Sequence, residues 1–299
     1  MTMIAEMDAR MRSAEGFIAA LDQSGGSTPG ALAAYGIPQT AYHDDDGMFA
    51  LMHDMRARVI TAPAFSRTRI LAAILFERTM EETVLGQPVP TYLWRTRGIV
   101  PVLKVDKGLL AESDGVRLMK PITGLEDLLA RAAELGVFGT KMRSVVNLAS
   151  PSGISAIVKQ QFELARTIVG HGLMPIIEPE VLVASPQKAG AEAALVAELT
   201  RNLDELTDGV DVMLKVTIPE TPDLYAGLAA HPRVARVVAL SGGYERTDAC
   251  TRLARNHGMI ASFSRALLDD LRVSMDDATF DATLAEAIDE IYRASTVKE

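Results

Sequence analysis

Cysteine is almost missing from this chain: Cys250 stands alone in 299 residues, which excludes an internal disulfide and any metal site built on clustered thiolates, and fits a reducing compartment. Positive charge is not in excess either. The net charge is −9, so the field of the whole molecule repels nucleic acid and anionic membrane, and an anionic substrate has to be drawn in by local cations. No stretch approaches the ~18 uncharged apolar residues of a membrane span, and the opening residues, Met1 to Glu15, mix acids and bases without an apolar leader core. These features read as a cytoplasmic protein with no nucleic acid and no membrane among its partners. There is no G-x-G-x-x-G after an apolar run, no Walker A and no G-x-S-x-G, so dinucleotide, nucleotide and serine-hydrolase chemistry has no support. His43, His53, His171, His231 and His257 are scattered, and none pairs at metal-ligand spacing; no metal site is expected.

What is present is an ordinary globular composition, 48% hydrophobic and 23% charged, without blocks or low-complexity tracts. Short apolar runs recur at 17–21, 70–76, 99–105, 137–143, 174–180, 211–216, 234–240 and 259–264. Most are near-continuous, as parallel strands buried on both faces must be, and do not alternate as a half-solvated hairpin would. Helical stripes lie between them: Ile154, Ile157, Val158, Ala165, Ile168 and Val169, then Leu195, Leu199, Leu203 and Leu206, and finally Phe280, Leu284, Ile288 and Ile291. Gly170 and Gly172 can supply a left-handed cap after the first stripe. Eight alternating strand and helix units with no composition break predict a single-domain α/β chain, a (β/α)8 TIM barrel, with an open doubly wound sheet as the alternative. The longest connections are Asp22 to Arg69, with a helix expected around Met48 to Val59, and Gly86 to Gly98, which carries Trp94. Trp94 reads either as a lid residue or as a packing aromatic.

Charge interrupts these runs near their ends. Asp22 follows Leu21, Lys104 and Asp106 sit in VLKVDK, Lys141 and Arg143 in GTKMR, Glu178 and Glu180 in IIEPE, Lys215 in VMLKV, and Arg265 follows Ser264. A Lys or Glu at the end of a buried run is costly unless it is paired or used, and a barrel would bring all of these to one mouth. Spacing by two puts Lys141 with Arg143, and Glu178 with Glu180, on one side of each strand. A nucleophilic amine near neutrality needs its pKa lowered from ~10.4, which neighbouring cations or an apolar wall achieve. Lys215 is best placed, with Val212, Met213, Leu214 and Val216 around it and Lys141 as a cationic neighbour. Two plainer readings stand beside this one: solvated strand ends with their stems on the surface, and a structural salt-bridge layer.

Directly after the seventh run, LSGGY places Ser241, Gly242 and Gly243 where free amides can bind phosphate, and Ser264 with Arg265 would complete such a cradle. DQSGGSTPG after the first run is a second glycine-rich turn, equally readable as a phosphate contact or a plain loop. The run Asp44 to Asp46 reads as a turn that starts a helix.

Taken in order, ALDQSGGS, VLKVDKG, GTKMR, IIEPE, VMLKV, LSGG and FSRAL resemble the class I fructose-bisphosphate aldolases, in a match spanning Phe17 to Leu267, and ILFERT at Ile74 to Thr79 is similar to that family's second strand end. The resemblance implies a metal-independent Schiff-base aldolase with no cofactor, acting on a small-molecule sugar phosphate in glycolysis or gluconeogenesis. It implies that Lys215 forms the Schiff base, that Glu178 is the main acid and base, that Asp22 and Lys141 handle the sugar's hydroxyls and the carbinolamine, and that Glu180 supports them. Ser241, Gly242 and Arg265 would hold the phosphate on the ketone half, with Lys104, Arg143 and Ser27 towards the far phosphate. The chain departs from the animal enzymes: Gln23 stands where they carry Glu, Ser264 where they carry Gly, no Arg follows Ser27 to grip the second phosphate, and Lys298-Glu299 replaces their C-terminal Tyr. It is more similar to the shorter bacterial branch, in which homo-oligomeric assembly varies and is left open. A Schiff-base aldolase for another phosphorylated ketose and a non-catalytic sugar-phosphate-binding barrel are the rival readings.

Overall fold

The computed structural model describes residues 2–207 and 209–299. Eight parallel strands form a closed barrel: Phe17–Leu21 (β1), Ile70–Leu75 (β2), Val100–Lys104 (β3), Gly139–Val146 (β4), Met174–Val181 (β5), Val212–Thr217 (β6), Val234–Leu240 (β7) and Met259–Phe263 (β8). The ring closes where β8 pairs with β1 through Ile18 opposite Ser262, and β3 pairs with β4 through Lys104 opposite Lys141.

Each strand is apolar on both faces because each face has its own core. Ile18, Ala20, Ala72, Ile74, Val100, Val102, Ile176, Met213, Val238 and Ile260 fill the barrel interior. Their neighbours in sequence, including Phe17, Ala19, Leu103, Ile177, Leu214 and Val237, pack outward beneath the helices. The expected stripes cover that outer layer from helices Pro151–Gly170, Lys188–Asp204 and Asp277–Thr296, with Phe280, Leu284, Ile288 and Ile291 all buried. Gly172 does adopt a left-handed conformation, φ 74°, after the first of them.

Two expectations need correcting. Charge does not end β4 and β5: the ladder runs on past Lys141, Arg143, Glu178 and Glu180, pairing Val146 with Val181. Near the mouth an inward side chain meets a polar cavity while its neighbours still pack outward, so the strand persists through the charged positions. The apolar wall around Lys215 is also thinner than expected. Only Met213 shares the barrel interior with it, whereas Val212, Leu214 and Val216 belong to the outer core, because a strand alternates its faces.

The bottom of the barrel is closed by helix Met3–Ser13, whose Met7 and Met11 enter the interior core. Its Arg10 donates to the carbonyl of Ile70 at 3.1 Å, and Arg12 pairs with Asp211 at 2.8 Å, tying the helix to strand starts. Trp94 packs at this same end with Met3, Ile4 and Met174; it is a packing aromatic, remote from the mouth. Asp44 caps the helix Asp45–Thr61 by accepting from the Gly47 amide at 2.8 Å. No helix among the described residues is long and apolar enough to cross a membrane.

Candidate active site

The interior alternation places the polar residues. Continuing the inward phase of Ile18 and Ala20 gives Asp22; of Val100 and Val102, Lys104; of Ile176, Glu178 and Glu180; of Met213, Lys215; and of Ile260, Ser262 and Ser264. Lys141 stands opposite Ile176 and Arg143 opposite Glu178 in the β4–β5 ladder, so both share that phase. One cavity of about 890 Å³ receives Asp22, Ser27, Lys104, Lys141, Arg143, Glu178, Glu180, Lys215, Ser241, Gly242, Ser264 and Arg265. Of the residues expected in the site only Gly243 is outside its lining, and it lies directly behind, with Arg265 Nη2 3.3 Å from where its Cβ would be.

At the centre, Lys215 Nζ is 3.0 Å from Glu178 Oε1, and Lys141 Nζ is 2.9 Å from Glu178 Oε2. Lys141 also lies 2.7 Å from Asp22 and 3.8 Å from Asp106. Lys104 is held by Asp106, at 2.8 Å from its carboxylate and 2.8 Å from its carbonyl. Arg143 Nε donates to Glu180 at 2.5 Å. The side chains of Lys215, Lys141, Glu178 and Asp106 are each no more than 5% exposed, so the solvated-end reading does not describe them.

Burial on its own would raise the Asp22 carboxyl, but the charges of Lys141, Lys215 and Lys104 outweigh it and hold Asp22 well below the usual carboxylate range. The reverse holds for Lys141: burial pulls its ammonium down, while Asp22, Glu178 and Asp106 together hold it above the usual lysine range. Lys141 is therefore a fixed cation. Lys215 touches one carboxylate oxygen where Lys141 meets three carboxylates. The two buried amines are thus inequivalent, and Glu178 bridges them within proton-transfer distance of both.

Two walls flank this centre. On the β7–β8 side, Gly242 and Gly243 have φ 62° and 108°, and a Cβ on Gly242 would fall 2.5 Å from Val183, so the tight turn needs glycine there. The Arg265 guanidinium lies over this turn. On the β3–β4 side stand Lys104 and Arg143. Ser27 opens helix Thr28–Tyr35, and its hydroxyl is engaged with the Ser24 amide and carbonyl at 3.1 and 3.0 Å.

Residues 18–209 match the family described as glycolytic fructose-bisphosphate aldolase class-I. The chain is 57% identical over 286 residues to a fructose-bisphosphate aldolase class 1 of Synechocystis sp., covering 96% of this chain and 95% of the relative. It belongs to the class I fructose-bisphosphate aldolases. A Porphyromonas gingivalis member is 53% identical, over 96% of this chain and 97% of that one. The fold agrees with a solved fructose-bisphosphate aldolase from Plasmodium falciparum, at a TM-score of 0.80, 20% identity and coverage of 99% and 95%.

Several residues around this aldolase centre escaped the sequence reading. Arg56, 1% exposed, donates from the outer helix to Thr79 Oγ1 at 2.7 Å and to the Gln23 carbonyl, and burial brings its guanidinium down to about 10 against the charge of Asp22. Gln161 reaches under β5 to accept from the Glu178 amide at 2.8 Å. Both sit in helices where a polar residue looks solvated in one dimension. The two departures from the animal pattern meet each other: Gln23 Nε2 donates to Ser264 Oγ at 2.6 Å, joining the ends of β1 and β8. That pairing was readable only as two unrelated substitutions. Among the described residues no cluster of three or more His, Cys, Asp or Glu is placed to hold a metal ion.

Proposed function

We propose that this chain reversibly cleaves fructose 1,6-bisphosphate to dihydroxyacetone phosphate and glyceraldehyde 3-phosphate through a Schiff base on Lys215. The observation that carries the reading is the inequivalence of the two lysines on Glu178: Lys141 is locked as a cation by three carboxylates, which leaves Lys215 as the amine free to attack. Lys215 Nζ adds to the C2 carbonyl, and Glu178, 3.0 Å away, passes the protons that turn the carbinolamine into iminium and water. Lys141 and Asp22 steady the oxygens that change protonation. With the iminium as electron sink, a carboxylate of the cluster removes the C4 hydroxyl proton and the C3–C4 bond breaks. The aldehyde leaves, and reprotonation at C3 followed by hydrolysis frees dihydroxyacetone phosphate and the amine. Glu180 orients Arg143. The Ser241–Gly243 turn with Ser264 and Arg265 binds the phosphate on the ketone half, and Lys104, Arg143 and Ser27 face the other end of the sugar. A net charge of −9 and a buried lone thiol, Cys250, support a cytoplasmic enzyme without nucleic-acid partners.

Borohydride reduction in the presence of dihydroxyacetone phosphate should leave a covalent adduct that peptide mass mapping places on Lys215, and EDTA should leave turnover intact. An adduct on Lys141 or Lys104, or none at all, would refute the assignment.

A further inference from the structure

Most cations of the β3–β4 wall are already committed. Lys104 is held by Asp106, Arg143 by Glu180, and Lys141 by Asp22 and Glu178. Arg117 also lines the cavity, and among the described residues its guanidinium makes one contact, Nε to the Leu110 carbonyl at 3.0 Å. Among the described residues its two terminal nitrogens have no protein acceptor. Arg265 on the opposite wall is in the same condition, with no side-chain hydrogen bond or ion pair among the described residues. In a ring of eight strands, β3 and β4 face β7 and β8. Two guanidinium groups with uncommitted forks therefore stand on facing walls, with Glu178 and Lys215 on the intervening β5 and β6.

We propose that Arg117 receives the phosphate at the aldehyde end of the bisphosphate, supplying the guanidinium that the segment after Ser27 lacks; this rests on the bisphosphate reading above. The backbone puts Arg117 there by register. Val116 and Arg117 pair antiparallel with β4, Arg117 standing opposite Val145. Val145 shares a strand face with Arg143 and Lys141, so Arg117 extends that line of cations outward by one diagonal step. The excursion of the chain between β3 and β4 that carries Arg117 is not loose. The Leu110 amide donates to the Leu118 carbonyl at 2.9 Å, Ser113 and Val116 exchange amide-to-carbonyl bonds at 3.0 and 3.1 Å, and Asp114 accepts from Ser150 and Ser152 at 2.7 and 2.6 Å. With Nε pinned to Leu110, the terminal nitrogens are presented as a preformed fork, the geometry that suits a phosphate.

The test compares two substrates that differ only in the far phosphate, fructose 1,6-bisphosphate and fructose 1-phosphate, on the full chain. In Arg117→Ala the ratio of kcat/KM for the first over the second should fall roughly 10- to 100-fold, the range of one charge-assisted contact. Arg117→Lys should recover part of it as a point charge without the fork. If loosening of the excursion were the whole effect, both substrates would suffer alike; an unchanged ratio therefore overturns the proposal. A wild-type enzyme that forms the borohydride adduct with dihydroxyacetone phosphate but shows no preference for the bisphosphate would overturn the bisphosphate reading and this proposal with it. Preference in the wild type that survives in Arg117→Ala removes only the role of Arg117.

Discussion

Lys215 and Lys141 share Glu178, and replacing each by Met separates chemistry from structure. In Lys215→Met, Glu178 keeps Lys141 at 2.9 Å and Met fills similar volume, so stability should change by no more than about 1.5 kcal/mol. Turnover should fall on the order of 10⁴-fold or more, since no other amine is placed to form the covalent intermediate. In Lys141→Met, Asp22 and Asp106 lose a shared buried cation, and breaking such a pairing costs about 3–5 kcal/mol. Thermal unfolding measured beside turnover checks both; a Lys215→Met protein that unfolds as easily as Lys141→Met would make Lys215 a structural member of a salt-bridge layer. The reacting residues were legible in the sequence because a charge inside an apolar run is conspicuous, and the spacing by two of Lys141 with Arg143 and of Glu178 with Glu180 survives as a shared inward face. Arg56 and Gln161 were not legible. On a helix a buried polar residue looks the same in sequence as a solvated one until the partner strand is known.

At the scale of elements, the strands could be read because burial on both faces leaves a continuous apolar run, while the pieces that aim side chains at the mouth could not. The excursion between β3 and β4 pairs through two-residue contacts too short to leave a period. Helix Met3–Ser13 hides its two buried methionines among charges. Gly153 shows how the excursion is seated. A Cβ there would fall 2.3 Å from the Asp114 carbonyl and 2.8 Å from Val116, so the helix Pro151–Gly170 meets the segment carrying Arg117 in direct backbone contact. Alanine would gain about 1 kcal/mol of helix propensity, but the backbone oxygen cannot yield as a flexible side chain could, and overpacking costs about 1–3 kcal/mol. The clash should win. Gly153→Ala should therefore lower the urea midpoint, and a stabilised variant would show that the excursion is free to move off the helix.

For the molecule as a whole, closure is the property with consequences. β1 and β8 come from opposite ends of the chain and pair directly, and the helix Asp277–Thr296 covers that seam, with Ser295 accepting from the Ala261 amide at 3.0 Å. Removing any one strand opens the ring and leaves its two neighbours with unpaired edges, so we expect one cooperative unit even at a length where many proteins unfold in stages. Trp94, the only tryptophan, makes this measurable: it packs at the bottom of the barrel beside Met3, Ile4 and Met174, far from the mouth, whereas far-ultraviolet circular dichroism reads every helix and strand. The two signals should give coincident urea transitions. Separate midpoints would divide the chain into units that fold apart, and a site assembled from strands on both sides of that division would lose its geometry before the rest of the protein unfolds.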